Sequence, residues 1–184
     1  MAVESKTNKL VLTALMICMI TVTTMFFKIP IPFANGYVHL GDAMIFLSVL
    51  ILGLRNGAIA AATGSALGDV LGGFAVWAPW TLVIKGVMAL VMGAFILMLI
   101  KKSESRKFPN VFVIRAAGMF LAGMWMVFGY FIAESVIYGW QVALLGIPWN
   151  IGQFAVGMAI AVPVASSLYK TPAARFFAYR TKLN

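Results

Sequence analysis

The sequence predicts an all-α, polytopic membrane protein: a compact bundle of six transmembrane helices, with both termini cytoplasmic, forming a single membrane domain over residues 1–184. Three observations lead there. Of the 184 residues, 62% are hydrophobic and 10% charged, whereas soluble domains carry about a quarter charged residues; mean hydropathy is +0.99. The apolar residues run in long blocks, the pattern of membrane helices, not the alternating ten-residue segments of a membrane barrel. Finally, the basic residues sort to one side of the proposed spans.

Breaks fall where proline, glycine and charge cluster, giving helices at about 9–27, 41–54, 57–74, 79–100, 112–137 and 147–169. The first follows Lys6 and Lys9 and resembles a signal peptide. It lacks a small-residue cleavage site and is long for a signal's apolar region, so it is expected to stay as a span. The second opens at Asp42 and ends at Arg55-Asn56-Gly57. The third carries Ala60, Gly64, Gly68 and Gly72, a four-residue repeat of small side chains that admits a neighbouring backbone, with Ser65 and Asp69 on the adjoining face. The fourth holds Lys85 about two turns from its start, and Glu134 lies near the end of the fifth. The sixth is expected to open at Pro148, where a missing N–H costs little, and to kink at Pro163. The loop "YGWQVALLGIPWN" before it, like "FAVWAPW" and "KIPIPFANGYVHLGD", reads as external.

This layout places Lys6, Lys9, Arg55, Lys101, Lys102, Arg106, Lys107, Arg115, Lys170, Arg175, Arg180 and Lys182 on the cytoplasmic side. Only Lys28 falls outside and Lys85 within a span. The positive-inside rule then fixes the orientation. The net charge of +9 therefore reports topology and does not imply a nucleic-acid partner. One cysteine, Cys18, excludes an internal disulfide. The chain has no H-E-x-x-H, no G-x-S-x-G and no phosphate loop, so neither metalloprotease or esterase chemistry nor an ATPase of its own is expected. A metal site would have to use His39, Asp42 and a third ligand from elsewhere, and neither a metal nor a cofactor is expected.

Polar residues at membrane depth usually face a cavity or a partner. Asp42, Asp69, Lys85, Glu134, Asn150 and Gln153 all fall in the outer part of the bilayer, and none in the inner half. A proton relay or channel would need polar groups right across. The pattern instead predicts one pocket open to the outside, with Tyr37, Phe74, Trp80, Tyr130, Phe131 and Trp149 at similar depth to stack on a flat ligand. In the structural alternative, Asp69 and Glu134 pair with Lys85 to lock helices together, and the tryptophans form an interfacial belt.

The order "YVHLGDAMIFLSVLILGLRNGAIAAATGSALGDVLGG", then "APWTLVIKG" and "IPWNIGQFAVG", resembles the substrate-binding S-components of energy-coupling factor (ECF) vitamin transporters. The resemblance runs from about Lys9 to Tyr169. It implies a six-helix protein in a prokaryotic cell membrane that captures a vitamin outside, works with a membrane T-component and two cytoplasmic ATPases, and topples to release its cargo inward. It also implies a lid formed by the first external loop, and ligand contacts from that loop and the last three helices. The candidate binding residues are Tyr37, His39, Asp69, Trp80, Lys85, Tyr130, Glu134, Trp149, Asn150 and Gln153. In the family an Ala-x-x-x-Ala motif on the first helix docks to the T-component; the matching positions here are Ala14 and Cys18. Three acids against one base favour a neutral or weakly basic heteroaromatic ligand, of hydroxymethylpyrimidine or vitamin B6 type, with pantothenate next. The competing classes are a small membrane enzyme acting on a lipid or isoprenoid, and a secondary transporter working alone.

Overall fold

The computed structural model describes residues 6–31, 37–103 and 111–179. Five helices are long and apolar enough to cross a membrane: α1 (Lys6–Phe26), α2 (Gly41–Leu71), α3 (Ala78–Ser103), α4 (Val111–Tyr138) and α5 (Trp140–Leu168). Strands β1 (Lys28–Pro30) and β2 (Tyr37–His39) pair antiparallel between α1 and α2, with Ile29 opposite Val38. This small ribbon departs from a purely helical expectation. After α5 a short 3₁₀ turn, Pro172–Phe176, leads into the buried side chains of Phe177 and Tyr179.

Five helices stand where the sequence predicts six, because the second and third expected segments form one element. Its break is at Gly53 (φ 79°, ψ −172°) rather than at 55–57, in a left-handed conformation that glycine alone adopts without steric cost. The break is a reversal. A Cβ on Gly57 would lie 2.8 Å from the Cα of Val49, although eight residues of straight helix span about 12 Å. Gly41 and Gly68 both sit against Thr24, so the arms run antiparallel. The first arm, Gly41–Leu52, is about 18 Å long and the second, Leu54–Leu71, about 27 Å at 1.5 Å per residue. The shorter arm leaves a recess at one pole, and the β ribbon sits over it.

The glycine stripe packs inward as expected. Gly64 meets Ile17 and Ile20 of α1, Gly68 meets Thr24, and Thr21 Oγ1 donates to Gly64 O at 2.9 Å. The second arm of α2 therefore lies parallel to α1, its backbone admitted by the missing side chains. Gly86 faces Ala62, Gly93 faces Leu54, Gly118 faces Ile96 and Gly129 faces Ile84, which makes α3 and α4 antiparallel neighbours. The ends of the helices thus gather at two poles. Gly53, Arg115 and Tyr179 mark one, and Asp42, Lys85 and Glu134 mark the other. Leu67, Val70, Phe120, Phe128 and Val136 are exposed on the flanks, a surface suited to lipid contact and not to water.

Helix α5 begins seven residues before its predicted start. Gly139 (φ 89°) alone turns the chain between Tyr138 and Trp140. The apolar run after it then serves as helix, burying Ala143 and Gly146 against the bundle. Pro148 consequently lies inside α5, as does Pro163. The expected end of the third segment also moves from 74 to Leu71. The basic residues Arg106, Lys107, Arg180 and Lys182, and the side chains of Lys101 and Lys102, lie outside the described residues.

Candidate functional site

The recess is built on a buried ion pair. Lys85 of α3 and Asp42 of α2 are both fully buried, with Nζ 2.5 Å from Oδ1. An unpaired charge there would be costly, and the pair is completed by hydrogen bonds. Gln153 Nε2 donates to Asp42 Oδ2 at 3.0 Å, and Lys85 Nζ also contacts the Met126 sulfur. Gly157 lets the α5 backbone reach this pair, since a Cβ there would be 2.9 Å from that of Asp42. Gln153 then links floor to roof, its Oε1 accepting from the His39 N–H at 3.0 Å. His39 Nδ1 accepts from the Gly41 N–H at 3.0 Å, which requires the neutral ring. Burial, aided by the charges of Lys85 and Lys28, lowers its pKa to about 3.

Above this floor Ile31, Tyr37, His39, Asp69, Trp77, Thr81, Tyr130, Glu134, Asn150 and Gln153 enclose a pocket. The walls stand close together around a cavity of about 30 Å³. Tyr37 OH donates to Asp69 Oδ1 at 2.5 Å, tying the ribbon to α2. Burial, and then the Asp69 charge, raise the Tyr37 pKa. Lys28 fastens the ribbon again: its Nζ donates to Gly72 O at 3.0 Å and sits about 5 Å from the ring centres of Tyr37 and Phe74. Thr81 Oγ1 and Tyr130 OH are 3.1 Å apart, and Trp77 lies 6.1 Å from Tyr130. Asn150 Nδ2 donates to Glu134 Oε1 at 3.2 Å. Gly146 makes room for this carboxyl, because a Cβ there would collide with Oε2. Glu134 Oε2 and Asp69 Oδ2 are buried with no hydrogen-bond partner among the described residues. Such acceptors are costly unless something donates to them.

Of the predicted residues, the structure places Tyr37, His39, Asp69, Tyr130, Glu134, Asn150 and Gln153 on one pocket wall. Lys85 lies beneath, and its partner is Asp42, not Asp69 or Glu134 as the structural alternative expects. Trp80 is half-buried and packs on the core. Trp149 lines a different cleft with Phe26, Phe27, Pro148 and Val156. That cleft is larger, about 580 Å³, but nearly all apolar; convergent polar groups mark the smaller pocket as the candidate site. Trp77 and Thr81 were not anticipated as wall residues. The tryptophan reads from sequence as an interfacial belt residue, and a threonine in a helix carries no signal. Ala14 and Cys18 are exposed on the face of α1 turned away from α2.

Fold and site define an integral membrane protein that holds a polar, aromatic-walled binding pocket at one pole. The sequence profile of the ECF-type riboflavin transporter, S component, matches residues 4–170. An uncharacterized protein of Pyrococcus woesei, encoded in the gap 3′ region, is 38% identical over 120 residues, covering 65% of this chain and 74% of its own length. The thiamine precursor transporter HmpT of Lactococcus lactis subsp. cremoris is 29% identical over 165 residues, 89% of each chain. The crystal structure of a biotin S-component from an ECF-type ABC transporter shares the fold. Its TM-score is 0.56 at 18% identity, covering 96% of this chain and 99% of that one. The chain belongs to the S-component family of ECF-type transporters, and as such is a substrate-binding transport component and not an enzyme.

Proposed function

We propose that this chain captures hydroxymethylpyrimidine, a thiamine precursor, or a closely similar amino-heteroaromatic such as a vitamin B6 form. The observation that carries the reading is the pair of unpartnered buried carboxyl oxygens, Glu134 Oε2 and Asp69 Oδ2, facing the rings of Tyr37, Trp77 and Tyr130. An exocyclic amine donates to such oxygens, and a flat ring stacks on such aromatic walls as the ribbon shifts to admit it. The relative named as a thiamine precursor transporter supports the choice. Pantothenate fits less well, because the cation its carboxylate would seek is buried below the pocket and engaged by Asp42. Riboflavin, the ligand in the matched family's name, is a larger ring system and would have to displace the ribbon further than a single ring does. Tyr37 and Lys28 make that ribbon the lid.

In this reading the chain crosses the membrane six times, the two arms of α2 counting separately, with both termini cytoplasmic. The described basic residues support the orientation: Lys6, Arg55, Arg115, Lys170 and Arg175 gather at the pole of Gly53, opposite the pocket. The pocket therefore opens outside a prokaryotic cell membrane. A T-component docks on Ala14 and Cys18 of α1, and two cytoplasmic ATPases drive release. Titration calorimetry of the purified chain against hydroxymethylpyrimidine, pyridoxal, pantothenate and riboflavin tests the assignment. Submicromolar binding of the first, lost in Glu134→Gln, is expected; preference for riboflavin would overturn it.

A further inference from the structure

The pole opposite the pocket holds a cation with spare donor capacity. Arg115, half-buried near the start of α4, stacks with its guanidinium carbon 3.9 Å from the Tyr169 ring centre, and its Nη2 donates to Tyr179 O at 2.9 Å. Its Nε is buried and has no hydrogen-bond partner among the described residues. The described carboxyl groups, on Asp42, Asp69 and Glu134, all lie at the pocket pole, so none compensates this charge. Beside the guanidinium a shallow surface groove runs between α4 and α5, walled by Leu50, Phe112, Ala116, Met119 and Val162. Of the two hydroxyls in this wall, that of Ser166 is committed to Val162 O at 2.8 Å, and that of Tyr169 belongs to the ring on which Arg115 stacks.

A cation with a free N–H at the end of an apolar groove in a membrane-facing surface matches one chemistry: an anion carried on a hydrocarbon chain. We propose that Arg115 and the α4–α5 groove bind an anionic phospholipid, the phosphate accepting from Arg115 Nε and one acyl chain lying along Phe112, Ala116 and Val162. The site is separate from the vitamin pocket and does not depend on which ligand that pocket takes. A free phosphate could satisfy Arg115 but would leave the groove unused, and the test separates the two sources.

Native mass spectrometry of the full chain, in detergent with phosphatidylglycerol or phosphatidylcholine, measures retention. The account predicts about tenfold stronger retention of phosphatidylglycerol, the scale of one charge-assisted hydrogen bond. Arg115→Gln should reduce that preference to near unity. Ala116→Phe, which fills the groove and leaves the guanidinium and its Tyr179 contact in place, should also release the lipid. Millimolar inorganic phosphate should not displace it. Equal retention of the two lipids by the unmodified chain, lipid retention by Ala116→Phe, or displacement by inorganic phosphate would each overturn the proposal.

Discussion

The Asp42–Lys85 pair offers the sharpest test of how the pocket floor is held. Both side chains are fully buried, so removing one leaves the other charged and unpaired. Breaking a buried pair costs about 3–5 kcal/mol. For a chain of this size each kcal/mol moves the melting temperature by about 2–4 °C, so Asp42→Leu and Lys85→Met should each lower it by roughly 6–20 °C. The double variant removes both charges and leaves only Gln153 Nε2 short of an acceptor, a deficit of about 1–3 kcal/mol, which the nearby Met126 sulfur partly offsets. It should therefore be more stable than either single variant. Thermal unfolding in detergent, followed by circular dichroism at 222 nm, reads all three. If the double variant loses the sum of the single losses, the two residues act independently and the pair does not hold the floor.

Four further outcomes follow from the same geometry. Gly146→Ala should push the Glu134 carboxyl off Asn150 and weaken ligand binding at least tenfold in calorimetry, while an unchanged Kd would remove Glu134 from the ligand contacts. His39 is held to about pH 3, well below its ordinary 6.5, so the stabilisation from its neutral form is complete above about pH 6.5 and is lost as pH falls towards 3. The His39 ring resonances in NMR should accordingly keep neutral-imidazole shifts from pH 5 to 8, and a titration of that ring within the range would contradict the neutral-ring assignment. Tyr37→Phe removes the lid's bond to Asp69 and should speed ligand release about tenfold in stopped-flow fluorescence. Cys18→Trp should abolish uptake into cells while leaving the Kd of the purified chain unchanged; retained uptake would move the T-component contact elsewhere.

Much of this architecture is legible in the sequence, because in a membrane protein apolar length and scarce charge report spans directly. The glycine stripe at 64 and 68 was readable as a packing face since four-residue spacing repeats on a helix. What escaped reading depends on contacts between distant segments. Nothing in "ILGLRNG" distinguishes a turn at Gly53 from one at Asn56, because both are small breaks in an apolar run. The "YGWQVALLGIPWN" stretch reads as a loop when its tryptophans and Pro148 are weighed, yet Gly139 alone reverses the chain and Gly146 is needed inside the helix beside Glu134. Asp42 was visible as an acid at a helix start. That Lys85 pairs with it and not with Asp69 or Glu134 follows from the short first arm of α2, which only the folded chain reveals.

The central claim is that the pocket between the β ribbon and helices α2 to α5 receives a small amino-heteroaromatic through Glu134 and Asp69. The most direct measurement is a crystal or cryo-electron structure of the chain with hydroxymethylpyrimidine. The account predicts the ring between Trp77, Tyr130 and Tyr37, with its amine within about 3 Å of Glu134 Oε2 or Asp69 Oδ2. A ligand seated instead in the apolar cleft beside Trp149, or one contacting Lys85 directly, would contradict it.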